Sequence, residues 1–105
     1  MAGSPVTRQE ALQYDAQALR FDTGKREHNI KIFEDTIEAE QKAIDQNNYI
    51  ISQIDPKHTD VKTLKANNEK RKINIKTFKD AIKEEKAQIE RDLKMIAIIE
   101  RNNKN

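Results

Sequence analysis

Lys25-Arg26-x-x-Asn29-Ile30-Lys31-x-Phe33-x-Asp35-x-Ile37-x-x-Glu40-x-x-x-Ile44 recurs forty-five residues on as Lys70-Arg71-x-x-Asn74-Ile75-Lys76-x-Phe78-x-Asp80-x-Ile82-x-x-Glu85-x-x-x-Ile89. Ten of the twenty aligned positions are identical and the alignment needs no gap. The likeness continues outward to Asp15/Asp60, Leu19/Leu64, Ile51/Ile96 and Ile54/Ile99. Within each copy the apolar residues step by three and four, the spacing that aligns side chains on one face of a helix. Two such copies, one on each side of a single breaker, predict two similar long helices folded against each other.

A heptad frame makes this concrete. With Ile30 at position a, Phe33 falls at d, Ile37, Ile44 and Ile51 at a, and Ile54 at d. The same frame runs back without a slip to Leu19 and Leu12 at d and Ala16 at a, predicting one helix over residues 7–54. Thr7 followed three residues later by Glu10 has the form of a capping box at its start. The weak point is Phe21-Asp22-Thr23-Gly24, since Gly costs about 1 kcal/mol against Ala inside a helix. A short first helix that breaks near Gly24 is therefore the alternative. The frame crosses this site intact, and the second copy has Asn67-Asn68-Glu69 there with no Gly, so a continuous but weakened helix is expected.

Pro56 cannot continue a helix and restricts the residue before it, so residues 55–60 form the turn, with Asp60 or Thr59 capping the second helix. That helix is expected over 61–102, with the seam Val61, Leu64, Ile75, Phe78, Ile82, Ile89, Ile96 and Ile99. So short a turn permits only an antiparallel return. The expected fold is all-α: a long antiparallel helical hairpin, or two-helix coiled coil, in a single domain 1–105, with 1–6 and 103–105 loose.

Composition agrees. Apolar residues make up 35% of the 105 and charged residues 36%, so the apolar ones must be concentrated in a narrow seam. There is no Cys, which excludes disulfides and thiolate metal sites. No stretch approaches the roughly 18 apolar residues of a membrane span, and Met1 to Pro5 lack the basic-then-apolar run of a signal peptide. A cytoplasmic protein, or part of an assembly formed there, is expected, with no membrane partner. Residues 15–54 carry five Lys/Arg against eight Asp/Glu, a net −3, and residues 60–99 carry eleven against seven, a net +4. An acidic arm packed beside a basic arm explains the split, and a basic arm reserved for nucleic acid is the competing explanation.

Placing residues whose numbers sum to about 115 opposite each other sets position d of one arm against a of the other throughout. Arg26 and Glu40 then lie at d in the first arm, and Arg71 and Glu85 at d in the second. The expected pairs are Glu40 with Arg71 and Arg26 with Glu85, with Asn47 facing Asn68. Such polar seam residues forbid wrong registers more than they stabilise. Apolar residues also lie outside the seam: Tyr49 and Ile50 in the first arm, and Leu93, Met95 and Ile98 in the second. They are the candidate protein interface, unless the Leu93 stretch covers the start of the first helix near Tyr14 and Phe21.

Catalytic chemistry is not expected. His28 and His58 are the two imidazoles, without the i, i+3 or i, i+4 spacing of a helical metal site. There is no Gly-rich phosphate loop and no nucleophile with a base. No enzyme activity, cofactor, metal or small-molecule substrate is expected. The leading expectation is an interaction or assembly module that self-associates, as a homodimer, and binds a protein partner through its apolar patches. The alternative is a nucleic-acid-binding arm contacting phosphates through Lys72, Lys76, Lys79 and Lys83. By outline alone, long hairpins also occur in prefoldin-type holding chaperones, synthetase arms that bind transfer RNA, and small phage or secretion-system assembly proteins.

Overall fold

The computed structural model describes residues 5–104. Three helices occupy them: α1, Arg8–Ala11; α2, Ala16–Gln53; and α3, Thr59–Asn103. The fold is an all-α helical hairpin in which the two long helices pack against each other. Two compact units divide it. Unit 1 comprises Met1–Lys31 with Ala81–Asn105, and unit 2 comprises Ile32–Asp80.

The start of the chain departs from the expected single helix over 7–54. Thr7 does cap α1, its hydroxyl accepting from the Glu10 N–H at 3.1 Å. The reciprocal half of the capping box does not form, because the Glu10 carboxylate accepts from Arg91 at 2.6 Å instead. After one turn the backbone tightens, with Gln13 N–H on the Glu10 carbonyl and Tyr14 N–H on the Ala11 carbonyl, both 3.1 Å. Asp15 then starts a new helix by accepting the Ala18 N–H at 3.1 Å. The break thus lies at 12–15 and not at Gly24, through which α2 runs uninterrupted with no positive φ. Its consequence is that Leu12 leaves the seam and is 43% exposed, while Ala11 is fully buried.

The turn holds a second correction. Asp55 accepts the Lys57 N–H on its side chain and the His58 N–H on its carbonyl, each at 2.8 Å. It is His58, rather than Asp60 or Thr59, that caps α3: its Nδ1 accepts the Asp60 N–H at 3.1 Å. The helix therefore starts at Thr59 and runs on to Asn103. Near its end Asn102 accepts from Arg8 at 2.5 Å, and the helix includes Asn103, a residue expected to be loose. Residues 1–4 and 105 of the expected loose ends lie outside the described residues, but Val6 does not behave as loose. It packs on the core of unit 1, formed by Ala11, Leu19, Met95, Ile96 and Ile99 with Ala16 and Ile98.

Of the remaining unit 1 seam positions, Ile30, Ile82 and Ile89 are half-buried. In unit 2 the seam buries Ile44, Val61 and Ile75, while Phe33, Ile37, Ile51, Ile54, Leu64 and Phe78 are half-buried. Phe33 and Phe78 meet as a tilted ring pair with centroids 5.7 Å apart.

Candidate functional site

The polar residues of the seam form one network built twice. In unit 2, Arg71 donates from Nη1 to Glu40 at 2.9 Å and from Nε to the Asn67 side-chain oxygen at 2.8 Å. Asn74 donates to the second oxygen of Glu40 at 3.3 Å. In unit 1, Arg26 donates from Nη1 to Glu85 at 3.1 Å and from Nε to Asp22 at 2.7 Å, and Asn29 donates to the second Glu85 oxygen at 3.3 Å. Each residue is the repeat partner of its counterpart. The glutamates are mostly shielded, with side chains 17% and 18% exposed. A guanidinium suits this place because its planar fork serves two acceptors at once.

The next layer breaks the symmetry of composition while keeping the symmetry of position. In unit 2, Asn47 donates its side-chain amide to Asn67 at 3.0 Å and to Asn68 at 2.9 Å, and Asn68 donates to Asn48 at 2.9 Å. Forty-five residues away in the repeat, Asn47 becomes Asp92, Asn67 becomes Asp22 and Asn68 becomes Thr23. Asp92 is hydrogen-bonded to Asp22, and the Thr23 hydroxyl donates to it at 3.4 Å. Asp92 is 5% exposed. Burial, followed by the Asp22 carboxylate, pushes its pKa up to about 7. Asp22 is held below the ordinary carboxylate range by its hydrogen bonds from Asp92 and Arg26. Sequence reasoning singled out the arginines, glutamates and Asn47/Asn68 but missed this trio. The heptad frame already carried the signal, since it sets Thr23 at a and Asp92 at d.

The flanks of the seam differ more than its centre. In unit 1, Arg91, Met95, Ile98 and Asn102 follow one another at steps of four, three and four and form a single stripe on α3, at heptad positions c and g. α1 lies against that stripe: Glu10 pairs with Arg91, Arg8 with Asn102, and Ala11 packs with Met95. Met95, expected at an exposed interface, is therefore buried at 6% exposure, and Ile98 is half-buried against the same cluster. The physical reason is that the chain folds its own first turn over the patch. Leu93 stays 54% exposed, one step outside the covered stripe.

Unit 2 has the same flank without a cover. Its α2 residues at c and g are Ile32, Thr36, Ala39, Ala43, Gln46 and Ile50, none of them charged. Its α3 residues there are Asp60, Thr63, Asn67, Lys70, Asn74 and Thr77, with one acidic and one basic charge. Ile50, the repeat partner of Met95, is 39% exposed, and Ile32 is 46% exposed. The opposite flank of unit 2 carries Glu34, Glu38 and Asp45 on α2 and Lys62, Lys65, Lys72, Lys76 and Lys79 on α3. Tyr49 projects from the outer face, 67% exposed.

The basic residues proposed for phosphate contact are all exposed. Lys72 pairs with Glu69 at 3.2 Å and Lys76 with Asp80 at 3.7 Å, while Lys79 and Lys83 lie in the same exposed row. Among the described residues no group of three or more His, Cys, Asp or Glu could hold a metal ion, and no helix is long and apolar enough to cross a membrane. Comparison with protein-family models, curated proteins and solved structures finds no match.

Proposed function

We propose that the protein is a non-enzymatic helical interaction module that associates with a second copy of itself through the charge-poor flank of unit 2. The observation that carries this reading is the contrast between the two repeats. In unit 1 the c/g stripe around Met95 is covered by a helical turn from the same chain; in unit 2 Ile50, the repeat partner of Met95, is exposed, as is Ile32 further along the c/g face of α2. A seam of two helices buries Ile44, Val61 and Ile75 but shields its larger side chains from one side only, leaving Phe33, Ile37 and Phe78 half-buried. A second hairpin laid on this flank would complete a four-helix arrangement with a two-fold interface. Ala39 and Ala43 permit close helix approach, and the absence of charge on the α2 side of this flank lowers the desolvation cost that the lysine-rich flank would carry. Each half-exposed Ile or Phe so covered contributes about 1 kcal/mol.

Sedimentation velocity from micromolar to several hundred micromolar tests the reading. The wild-type mass should rise toward that of a dimer, and the double variant Ile32→Glu/Ile50→Glu should stay monomeric with unchanged far-UV circular dichroism. A wild type that remains monomeric across the whole range would overturn it.

A further inference from the structure

The two polar layers of the repeat make different demands on protons. In unit 2 the central contact is an amide N–H of Asn47 given to the Asn67 oxygen. In unit 1 the matching positions hold two carboxyl groups, Asp92 and Asp22, which line one groove. A carboxylate has no hydrogen to give, so a hydrogen bond between them forms only when one of the two carries a proton. Arg26 fixes which one. Its Nε donates to Asp22 at 2.7 Å, as Arg71 Nε donates to Asn67, so Asp22 is the acceptor and Asp92 takes the donor role of Asn47.

We propose that the Asp92–Asp22 pair is a proton-dependent lock on the packing of unit 1, closed while Asp92 is protonated and loosened once both carboxyls ionise. The groups facing Asp92 support this. Asp92 lines a groove of about 440 Å³ together with Asp22 and Arg26 from α2, Glu10 from α1, Tyr14 from the 12–15 turn and Arg91 from α3. The Thr23 hydroxyl donates to Asp92, and Glu85 of α3 reaches the group through Arg26. Arg26 already serves both Asp22 and Glu85, and Arg91 is bridged to Glu10. When Asp92 loses its proton, three carboxylates share the Arg26 charge, and two of them line the same groove. Repulsion then acts in the layer next to Leu19 and Met95, on which α1 rests. Burial of Asp92 raises its pKa to about 7, which places the change near neutrality. The two carboxyls titrate as a coupled pair. Unit 2, with asparagine at the matching positions, has no such response and is the internal control.

The test uses the full-length chain. The carboxyl-carbon resonance of Asp92 is followed by NMR from pH 4 to 9, and amide-exchange protection factors are measured at pH 5.5 and 8.5. Asp92 should titrate near neutrality, and protection at Leu19 and Ile96 should fall at least tenfold relative to Ile44 and Ile75. In Asp92→Asn, which rebuilds the unit 2 contact, the extra loss in unit 1 should vanish. His28 is present in both proteins, so their difference isolates Asp92. Asp22→Asn should move the Asp92 midpoint to lower pH, because the repelling charge is gone. An Asp92 midpoint near 4, or the same extra loss of unit 1 protection in Asp92→Asn, would overturn the lock.

Discussion

Installing the acid of unit 1 in unit 2, by Asn47→Asp, is a quantitative test of how the seam treats charge. Asn47 makes two donor bonds, to Asn67 and Asn68. A protonated Asp at that position donates one, so in acid the variant should lose about 1 kcal/mol. The alkaline cost is worked from the repeat. Asp92 is raised from 3.8 to about 7, and about 1.4 kcal/mol for each pH unit gives roughly 4 kcal/mol. Part of that is repulsion from Asp22, which the neutral Asn67 does not exert, and residue 47 is half-buried where Asp92 is buried. About 2 kcal/mol is left for Asn47→Asp. The sign is fixed by linkage. A group whose folded pKa is raised contributes its full stability below the unfolded value, near 3.8, and loses it as the pH climbs through the folded value. The variant should therefore trail the wild type by about 1 kcal/mol at pH 4 and about 3 kcal/mol at pH 8.5. Urea unfolding followed by circular dichroism at both pH values gives the two differences, in which the wild type's own Asp92 dependence cancels. Equal deficits at the two pH values would refute the reasoning, since the seam would then be admitting water to residue 47.

Other substitutions report on separate parts of the fold. Gly24→Ala should stabilise by about 1 kcal/mol, because Gly24 is mid-helix, its φ is not positive, and an added Cβ would meet nothing within 4 Å. A thermal melt shows this as a higher Tm, and a lower one would mean that the helix needs glycine's freedom there. Ile44→Ala should cost 2–4 kcal/mol, roughly, because Ile44 is 3% exposed at the centre of the unit 2 seam. A loss under about 1 kcal/mol in urea would show that unit 2 relaxes around the cavity.

Much of the candidate site was legible in the letters alone. Arg26, Glu40, Arg71 and Glu85 violate an apolar frame identically in both copies, and Asn47 and Asn68 violate it opposite each other in the antiparallel register, so all six are visible without any knowledge of packing. Asp92 and Thr23 violated the same frame. They differ in kind from Asn47 and Asn68, so the identity of the repeat did not flag them. The interface expectation failed at Met95 for another reason. Hydropathy marks a residue as needing cover, but not whether the cover comes from the same chain.

The linear order of residues by itself determined the doubled helix, its seam and its turn, because period and punctuation are local properties set by helix geometry and by Pro56. Tertiary structure alone decided where the first helix breaks, since whether 12–15 stays helical depends on what Ala11 gains by reaching Met95. It also decided which side of the seam is covered and which carboxyl is pushed up toward neutrality. Burial and the company of charges are sums over groups distant in the chain, and no local pattern records them.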